Sequence, residues 1–152
     1  MKYITTLFII TITTMLISGC DKIKSFTSSD VSLVKDGVLE MDKSLTVGKA
    51  IDNYKYFKKT QWKALKTENG KRMVVVDCSI NVDAQPSMKN SGIKSADMKY
   101  EFQINQDNTF EVGWCGLSFE KNDGEKHTAP ENSNVNICIN SLRAIYNNVP
   151  NF

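Results

Sequence analysis

A segment with strict two-residue alternation constrains the fold of this chain more than any other feature. From Val74 to Val82, every second residue is apolar or a cysteine, and polar residues stand between several of them. The predicted inward face carries Val74, Val76, Cys78, Ile80 and Val82, and the opposite face carries Asp77, Ser79 and Asn81. This pattern is typical of a strand that buries one side of an antiparallel sheet. The chain must therefore supply other elements to cover that side.

A tight turn precedes this strand. Asn69-Gly70 favours a type I′ hairpin loop of two residues, because both positions of that turn need positive φ. Such a loop predicts that Leu65 lies opposite Val74 and Lys63 opposite Val76.

Two further strands are predicted at 98–106 and 109–120, joined by a second tight turn. The first alternates cleanly. In the second, Trp114 is expected on the buried face with the apolar residues before it, and Gly113 and Gly116 predict a bulge.

Apolar residues at helical spacing predict a helix on each side of the strands. The first runs from the N-cap Thr46 to about residue 58, and the second covers 134–147. Residues 38–41 predict a short extended piece against the domain. The expected fold class is α+β: an N-terminal helix, a four-stranded antiparallel meander and a C-terminal helix packed on one sheet face.

The N-terminus predicts export and lipidation. Lys2 precedes an apolar run, 4–17, that is shorter than the ~20 residues a permanent membrane helix needs, as in a secretory signal peptide. The run ends in Ile17, Ser18, Gly19 and Cys20, which resemble the lipobox of bacterial lipoprotein precursors. This resemblance implies that the Cys20 thiol receives diacylglycerol, that the chain is cut before it, and that the new amine is acylated with a fatty acid such as palmitate.

The next residues bear on sorting and domain boundaries. Asp21 resembles the inner-membrane retention signal of enterobacterial lipoproteins, and Lys22 departs from the strongest form of it, so the outer membrane stays open as a location. The predicted organisation is a signal peptide over 1–19, a lipidated cysteine with a flexible tether over 20–42, and one envelope domain over 43–152.

Several short motifs in the exported part resemble a family of small proteobacterial lipoproteins that includes the enterobacterial YafY/YfjS-type inner-membrane lipoproteins. The motifs are Leu33-Val34-Lys35-Asp36-Gly37, Asp42-Lys43-Ser44-Leu45-Thr46-Val47-Gly48-Lys49-Ala50, Tyr54-Lys55-Tyr56-Phe57 and Trp62. The resemblance implies a lipid-anchored envelope protein without established catalytic residues, associated with an envelope stress response when overproduced.

Three cysteines remain once Cys20 is lipidated, and the compartment beyond the inner membrane is oxidising. A Cys115–Cys138 disulfide is the first choice, because both residues are expected near the same end of the sheet. Cys78–Cys138 is the second choice, and three separate buried thiols stay open. His127 is the sole histidine and the cysteines are far apart in sequence, so no metal site is predicted.

The sequence offers only weak candidates for a catalytic site. Cys115 and His127 suggest a nucleophile and its base, but His127 falls in a polar segment, 121–132, predicted as a loop. The acidic residues considered as a catalytic pair are Glu111, Glu120 and Glu125. No pair of them is set in an evident cleft, so no catalytic residue and no cofactor are predicted.

Charge and aromatic content add little about partners. The chain has 19 Lys and Arg against 17 Asp and Glu, so nothing points to nucleic acid. The basic and aromatic run 54–63 predicts either contact with an anionic membrane surface or, more simply, core packing of its aromatic rings.

The sequence therefore favours a non-catalytic, lipid-anchored envelope lipoprotein that acts through an unidentified protein partner, with a link to envelope stress. The alternatives are an accessory lipoprotein of a secretion, conjugation/exclusion or outer-membrane assembly machine, and an enzyme of unrecognised type.

Overall fold

A computed structural model of the chain describes residues 28–128 and 134–151. Its centre is a five-stranded antiparallel sheet in the order β1-β2-β3-β4-β5. The strands are β1 Phe57–Lys66, β2 Arg72–Ile80, β3 Ile93–Ile104, β4 Phe110–Lys121 and β5 Lys126–Thr128. The helices are α1 Ser28–Asp36, α2 Val47–Asp52, α3 Pro86–Asn90 and α4 Val135–Tyr146, and a 3-10 turn covers Val82–Ala84.

The predicted class, helices combined with an antiparallel sheet, agrees with the structure. The predicted four-stranded meander differs in detail, because β5 forms inside the segment expected to be a polar loop. β5 pairs with Ser118–Glu120 of β4 across a turn in which Gly124 has φ 88°. A short edge strand buries little apolar surface, so its sequence carries no alternating signal.

The hydrophobic core lies between one face of the sheet and the helices. Val74, Val76 and Cys78 of β2 are fully buried, together with Tyr100 and Phe102 of β3. The predicted inward face of β2 is therefore confirmed. α1 packs against β1 and β2, and α4 packs against β4.

The predicted register of the first hairpin is wrong by one residue. Val74 lies opposite Ala64, not Leu65, and Val76 lies opposite Trp62, not Lys63. The loop has three residues, and only Gly70 within it has positive φ, at 82°. A three-residue loop ending in a left-handed glycine is the next most common hairpin geometry. It moves every β1 side chain to the other face, so Trp62 packs against the core as a partly buried residue.

The β4 bulge also reverses an expectation. The register shifts between Glu101 and Phe102 of β3, which places the extra residue at Gly113. Trp114 therefore faces away from the helices, not into the core as predicted. Its ring lies over Gly116, where a Cβ atom would overlap it.

The predicted first helix is shorter than expected, because α2 ends at Asp52. Tyr54 then begins a turn, and Phe57 already pairs with Ile80 at the start of β1. The aromatic residues that match helical spacing pack against each other outside the helix, with the Tyr54 and Phe57 ring centroids 4.8 Å apart. Strand pairing thus overrides the local helical pattern.

The predicted tether is wrong over residues 28–42. This part forms α1 and a following turn, and both Val34 and Leu39 are buried in the core. Asp30 is also buried and accepts hydrogen bonds from the Arg72 guanidinium, with Nε 3.2 Å from Oδ2. The polar composition hid this helix, because a few apolar residues and one ion pair suffice to dock it.

The described residues include no helix that is both long enough and apolar enough to span a bilayer.

Candidate functional site

A groove of about 640 Å³ lies between the start of β4, helix α4 and the turn after α1. Its volume is in the range of small-ligand and peptide sites. The apolar lining residues are Val38, Leu39, Met41, Phe110, Val112 and Ile139. The polar lining residues are Glu40, Asn108, Thr109, Glu111 and Arg143.

The first wall of the groove is the turn after α1, which close packing holds in place. Gly37 lies directly against the Phe110 ring, and a Cβ atom at this position would overlap it. Leu39 and Asp42 form an isolated antiparallel bridge. The Asp42 carboxylate accepts hydrogen bonds from the Ser44 hydroxyl at 2.6 Å and the Ser44 N–H at 2.8 Å, which lower the pKa of Asp42.

The second wall is α4, which begins at its N-cap Asn134. Cys138 and Leu142 are buried in the core. Ile139 and Arg143 are one turn apart on the adjacent stripe of the helix, and both line the groove. A helix fixed by its buried face thus presents one apolar and one cationic side chain to the groove.

The Cys115–Cys138 disulfide ties helix α4, the second wall, to strand β4. The pair favoured from the sequence is the pair that the structure joins, with the Cα atoms 5.5 Å apart. Cys115 is in β4 and Cys138 is in α4, so the bond fixes the helix against the strand. The remaining described cysteine, Cys78, is a buried thiol whose pKa is raised by burial.

The floor of the groove is the edge of β4. Five consecutive residues, 108–112, line the cavity. Because successive strand residues point to opposite faces, a cavity that touches all of them runs along the strand edge. β5 pairs only with Ser118–Glu120, so it does not cover this part of β4.

Charges at the groove are partly unpaired within the described part of the chain. Glu40 pairs with Lys43 at 2.9 Å. Arg143 donates from Nη1 to the Asn140 amide oxygen at 3.2 Å. Among the ion pairs between described residues, Arg143 has no carboxylate and Glu111 has no cation.

The two groups considered for nucleophilic catalysis, Cys115 and His127, have other partners in the structure. Cys115 is held in the disulfide and is not a free nucleophile. The His127 ring stacks on Phe119, with centroids 4.8 Å apart, and its Nε2 lies 2.9 Å from Glu125 Oε1. The predicted possibility of a Cys115–His127 nucleophile pair therefore fails.

Two of the three candidate carboxylates, Glu120 and Glu125, form separate surface ion pairs. Lys94, 2.8 Å from Glu120, lowers the pKa of that carboxyl. Lys121, 2.6 Å from Glu125, lowers the pKa of the latter. Within 28–128 and 134–151, no group of three or more His, Cys, Asp or Glu is arranged to hold a metal ion.

Two aromatic rings of the basic and aromatic run pack on or in the core, whereas its lysines are exposed. Trp62 stacks on Phe102 with centroids 6.3 Å apart, and Tyr54 is buried and donates to the Val149 carbonyl at 2.7 Å. Core packing therefore accounts for these two rings, so they do not support contact of the run with a membrane surface.

Sequence reasoning missed the groove itself. It assigned 38–41 to the tether region, and it gave no role to Arg143 or to the edge of β4. The available signal was the expectation that 38–41 lies extended against the domain. The lipidation and sorting residues, Cys20 and Asp21 with the preceding Ile17, Ser18 and Gly19, lie outside the described residues.

Comparison with known proteins adds no assignment: no protein-family model, curated protein or solved structure matches this chain.

Proposed function

We propose that this protein is a lipid-anchored module of the bacterial cell envelope that binds a protein partner in the β4 groove and performs no catalysis. In this proposal, Cys20 carries the acyl chains and the domain from Ser28 onward stays beside the membrane. Each buried methylene contributes ~0.8 kcal/mol, and a second chain turns marginal binding into stable anchoring. The inner membrane is the favoured location, from Asp21, and a link to envelope stress follows from the family resemblance.

The groove is the observation that carries the binding part of the proposal. It combines an apolar lining with unpaired charge at its rim. Val38, one of its apolar lining residues, is 42% exposed. Exposed apolar surface that is rimmed by polar groups is typical of interaction sites. The disulfide supports the envelope part, since such bonds persist in oxidising compartments.

An accessory role in a secretion, conjugation/exclusion or outer-membrane assembly machine is the second candidate. It uses the same anchor and the same groove, and it differs in the size of the assembly that holds the protein. The partner identified by the experiment below separates the two.

The anchor is tested by metabolic labelling with palmitate. We expect label on the wild-type chain and on Cys78→Ala, and none on Cys20→Ala, which should accumulate as an unprocessed precursor. Cys78→Ala is the matched control, because it removes a cysteine that the structure buries. An unlabelled wild-type chain, or label retained by Cys20→Ala, contradicts the anchor.

The groove is tested by placing a photo-crosslinking amino acid at Val38 or, as a control, at Lys126 in intact cells. Lys126 is exposed on β5 and does not line the groove. We expect one defined crosslinked partner from Val38 and none from Lys126. The same products from both positions, or none from Val38, contradict binding in the groove.

A further inference from the structure

The backbone N–H and C=O groups of Phe110 and Val112 point to the open side of β4, where the groove lies. At the β3–β4 turn, the Asn105 N–H donates to the Thr109 carbonyl at 2.8 Å, so the Thr109 carbonyl points toward β3. In an antiparallel ladder, the next residue then directs its own N–H and C=O away from the partner strand. The register continues without a shift to Val112, which lies opposite Phe102. Phe110 and Val112 therefore present their backbone groups to the open side of β4.

No other described segment forms backbone hydrogen bonds with these N–H and C=O groups. The backbone hydrogen bonds formed by described residues outside the helices and strands include none to Phe110 or Val112. β5 begins its pairing at Ser118, beyond the bulge. An unpaired strand edge inside an apolar groove can accept another extended chain.

The other edge of the sheet differs in charge. β1 carries four lysines and no acidic residue: Lys58, Lys59, Lys63 and Lys66. Lysines along an edge are a common protection against strand pairing. The lining of the groove at 109–112 contains no lysine, so this edge lacks that protection.

We propose that an extended peptide of the partner adds to β4 at Phe110–Val112 as a further strand, in the groove between β4 and α4. The peptide has an apolar residue at every second position, for the surface formed by Val38 and Ile139, and a carboxylate that pairs with Arg143. This inference rests on the proposed partner-binding function and specifies its mode.

Two features select this peptide chemistry. The strand edge offers two N–H and two C=O groups, which match the backbone of an extended chain and not that of a helix. Arg143 lacks a carboxylate among the described residues, and a guanidinium binds a carboxylate in a planar, bidentate geometry.

The test is amide hydrogen exchange of the full mature chain in detergent micelles. The probe is a nine-residue peptide in which Val and Thr alternate, with a free C-terminal carboxylate. We expect the peptide to slow exchange at Phe110 and Val112 by at least about tenfold, because each gains a hydrogen bond. Exchange at Glu111, whose N–H faces β3, should not change.

Two matched comparisons make the result specific. N-methylation of alternate peptide residues should remove the protection, since it deletes the donors that pair with β4. Arg143→Met should weaken binding of the free-acid peptide by about tenfold and leave the C-terminal amide peptide unaffected. Lys126→Met on β5 is the control, and it should bind both peptides like the wild type.

Several results overturn the inference. Equal binding of the N-methylated peptide, or protection of β1 amides in place of Phe110 and Val112, excludes strand addition at β4. Protection of Phe110 and Val112 without peptide means that the edge is already occupied, by a second copy if the protection depends on protein concentration and by another part of the same chain if it does not. If Val38 crosslinks to a partner but the peptide does not slow amide exchange at Phe110 and Val112, partner binding in the groove is supported and strand addition to β4 is excluded.

Discussion

Asp52 links three elements through a single carboxylate. Its Oδ1 accepts hydrogen bonds from the Thr60 hydroxyl at 2.7 Å and from the Trp62 indole N–H at 2.8 Å. Its Oδ2 lies 2.7 Å from Lys35 Nζ, which also sits 5.3 Å from the Trp62 ring centroid. Asp52 is at the end of α2, Lys35 is in α1, and the other two are in β1. These contacts hold both helices on the same strand.

The same contacts set the protonation of Asp52. Partial burial alone raises the pKa of this carboxyl, but the hydrogen bonds from Lys35, Trp62 and Thr60 outweigh burial and lower it. A carboxyl with a lowered pKa in the folded state adds stability above its unfolded pKa. That stability is lost as the pH falls through the folded value.

Asp52→Asn should therefore reduce the free energy of unfolding by roughly 1 kcal/mol at pH 7, and by less at pH 3 and below. The reason is that protonated Asp52 is neutral like asparagine and no longer forms an ion pair with Lys35. Urea unfolding of both proteins across this pH range measures the difference. Asp36→Asn, a change at an exposed residue at the end of α1, is the control and should change the free energy of unfolding only slightly at pH 7. A difference for Asp52→Asn that is the same at both pH values would contradict the role given to its charge.

At the level of elements, the loop between β1 and β2 decides which face of β1 is buried. The Thr67 N–H donates to the Lys71 carbonyl at 2.9 Å, and the Gly70 N–H donates to the Thr67 carbonyl at 2.9 Å. Gly70 has φ 82°, whereas Asn69 is not among the residues with positive φ. One extra residue in this loop thus brings Trp62 onto Phe102 in the core.

Gly70→Ala should lower the free energy of unfolding by about 1 kcal/mol, because an L-residue in the left-handed region is strained. Asn69→Ala, one position earlier in the same loop, should cost only a few tenths of a kcal/mol, since its side chain makes just an exposed bond to Thr67. Chemical denaturation of the two variants provides the comparison. Equal losses would indicate a two-residue type I′ loop, in which both positions need positive φ.

At the level of the whole molecule, two ties hold the ends of the described chain to the sheet. Near its start, the Asp30–Arg72 ion pair docks α1, and Arg72 also donates to the Asn108 side chain at 2.8 Å. Near its end, the disulfide fixes α4 to β4 across 23 residues of sequence. The groove lies between these two ties. Its walls are therefore held by an ion pair and a disulfide as well as by the burial of apolar surface.

The disulfide should contribute about 3 kcal/mol to stability, from the reduced freedom of an unfolded chain closed over this separation. Cys115→Ala combined with Cys138→Ala should lose that amount and become insensitive to reductant. Denaturation with and without reductant tests this, and the reduced wild type should resemble the double variant. Three free thiols titrated in the unfolded exported domain without reductant, or no effect of reductant on the wild type, would show that the bond is not formed.

Much of the sheet was predictable because strand alternation is local. The inward faces of β2 and β3 follow from residues such as Val76 and Phe102, which lie two apart from similar neighbours in sequence. The choice of Cys115 and Cys138 followed from placing both near one end of the sheet. The groove was not predictable, because it arises where the turn after α1, β4 and α4 meet.

The sequence by itself determined the antiparallel sheet, its buried face in β2 and the helix that carries Cys138, since each depends on periodicity within a short segment. It also carries residues 17–20, whose resemblance to a lipobox is the basis of the proposed anchoring. Tertiary structure alone decided the register of β1, the outward position of Trp114, the docking of α1 and the open edge at Phe110. These features depend on contacts between residues far apart in the chain, and a one-residue change in a loop or a bulge is enough to reverse which side chains are buried.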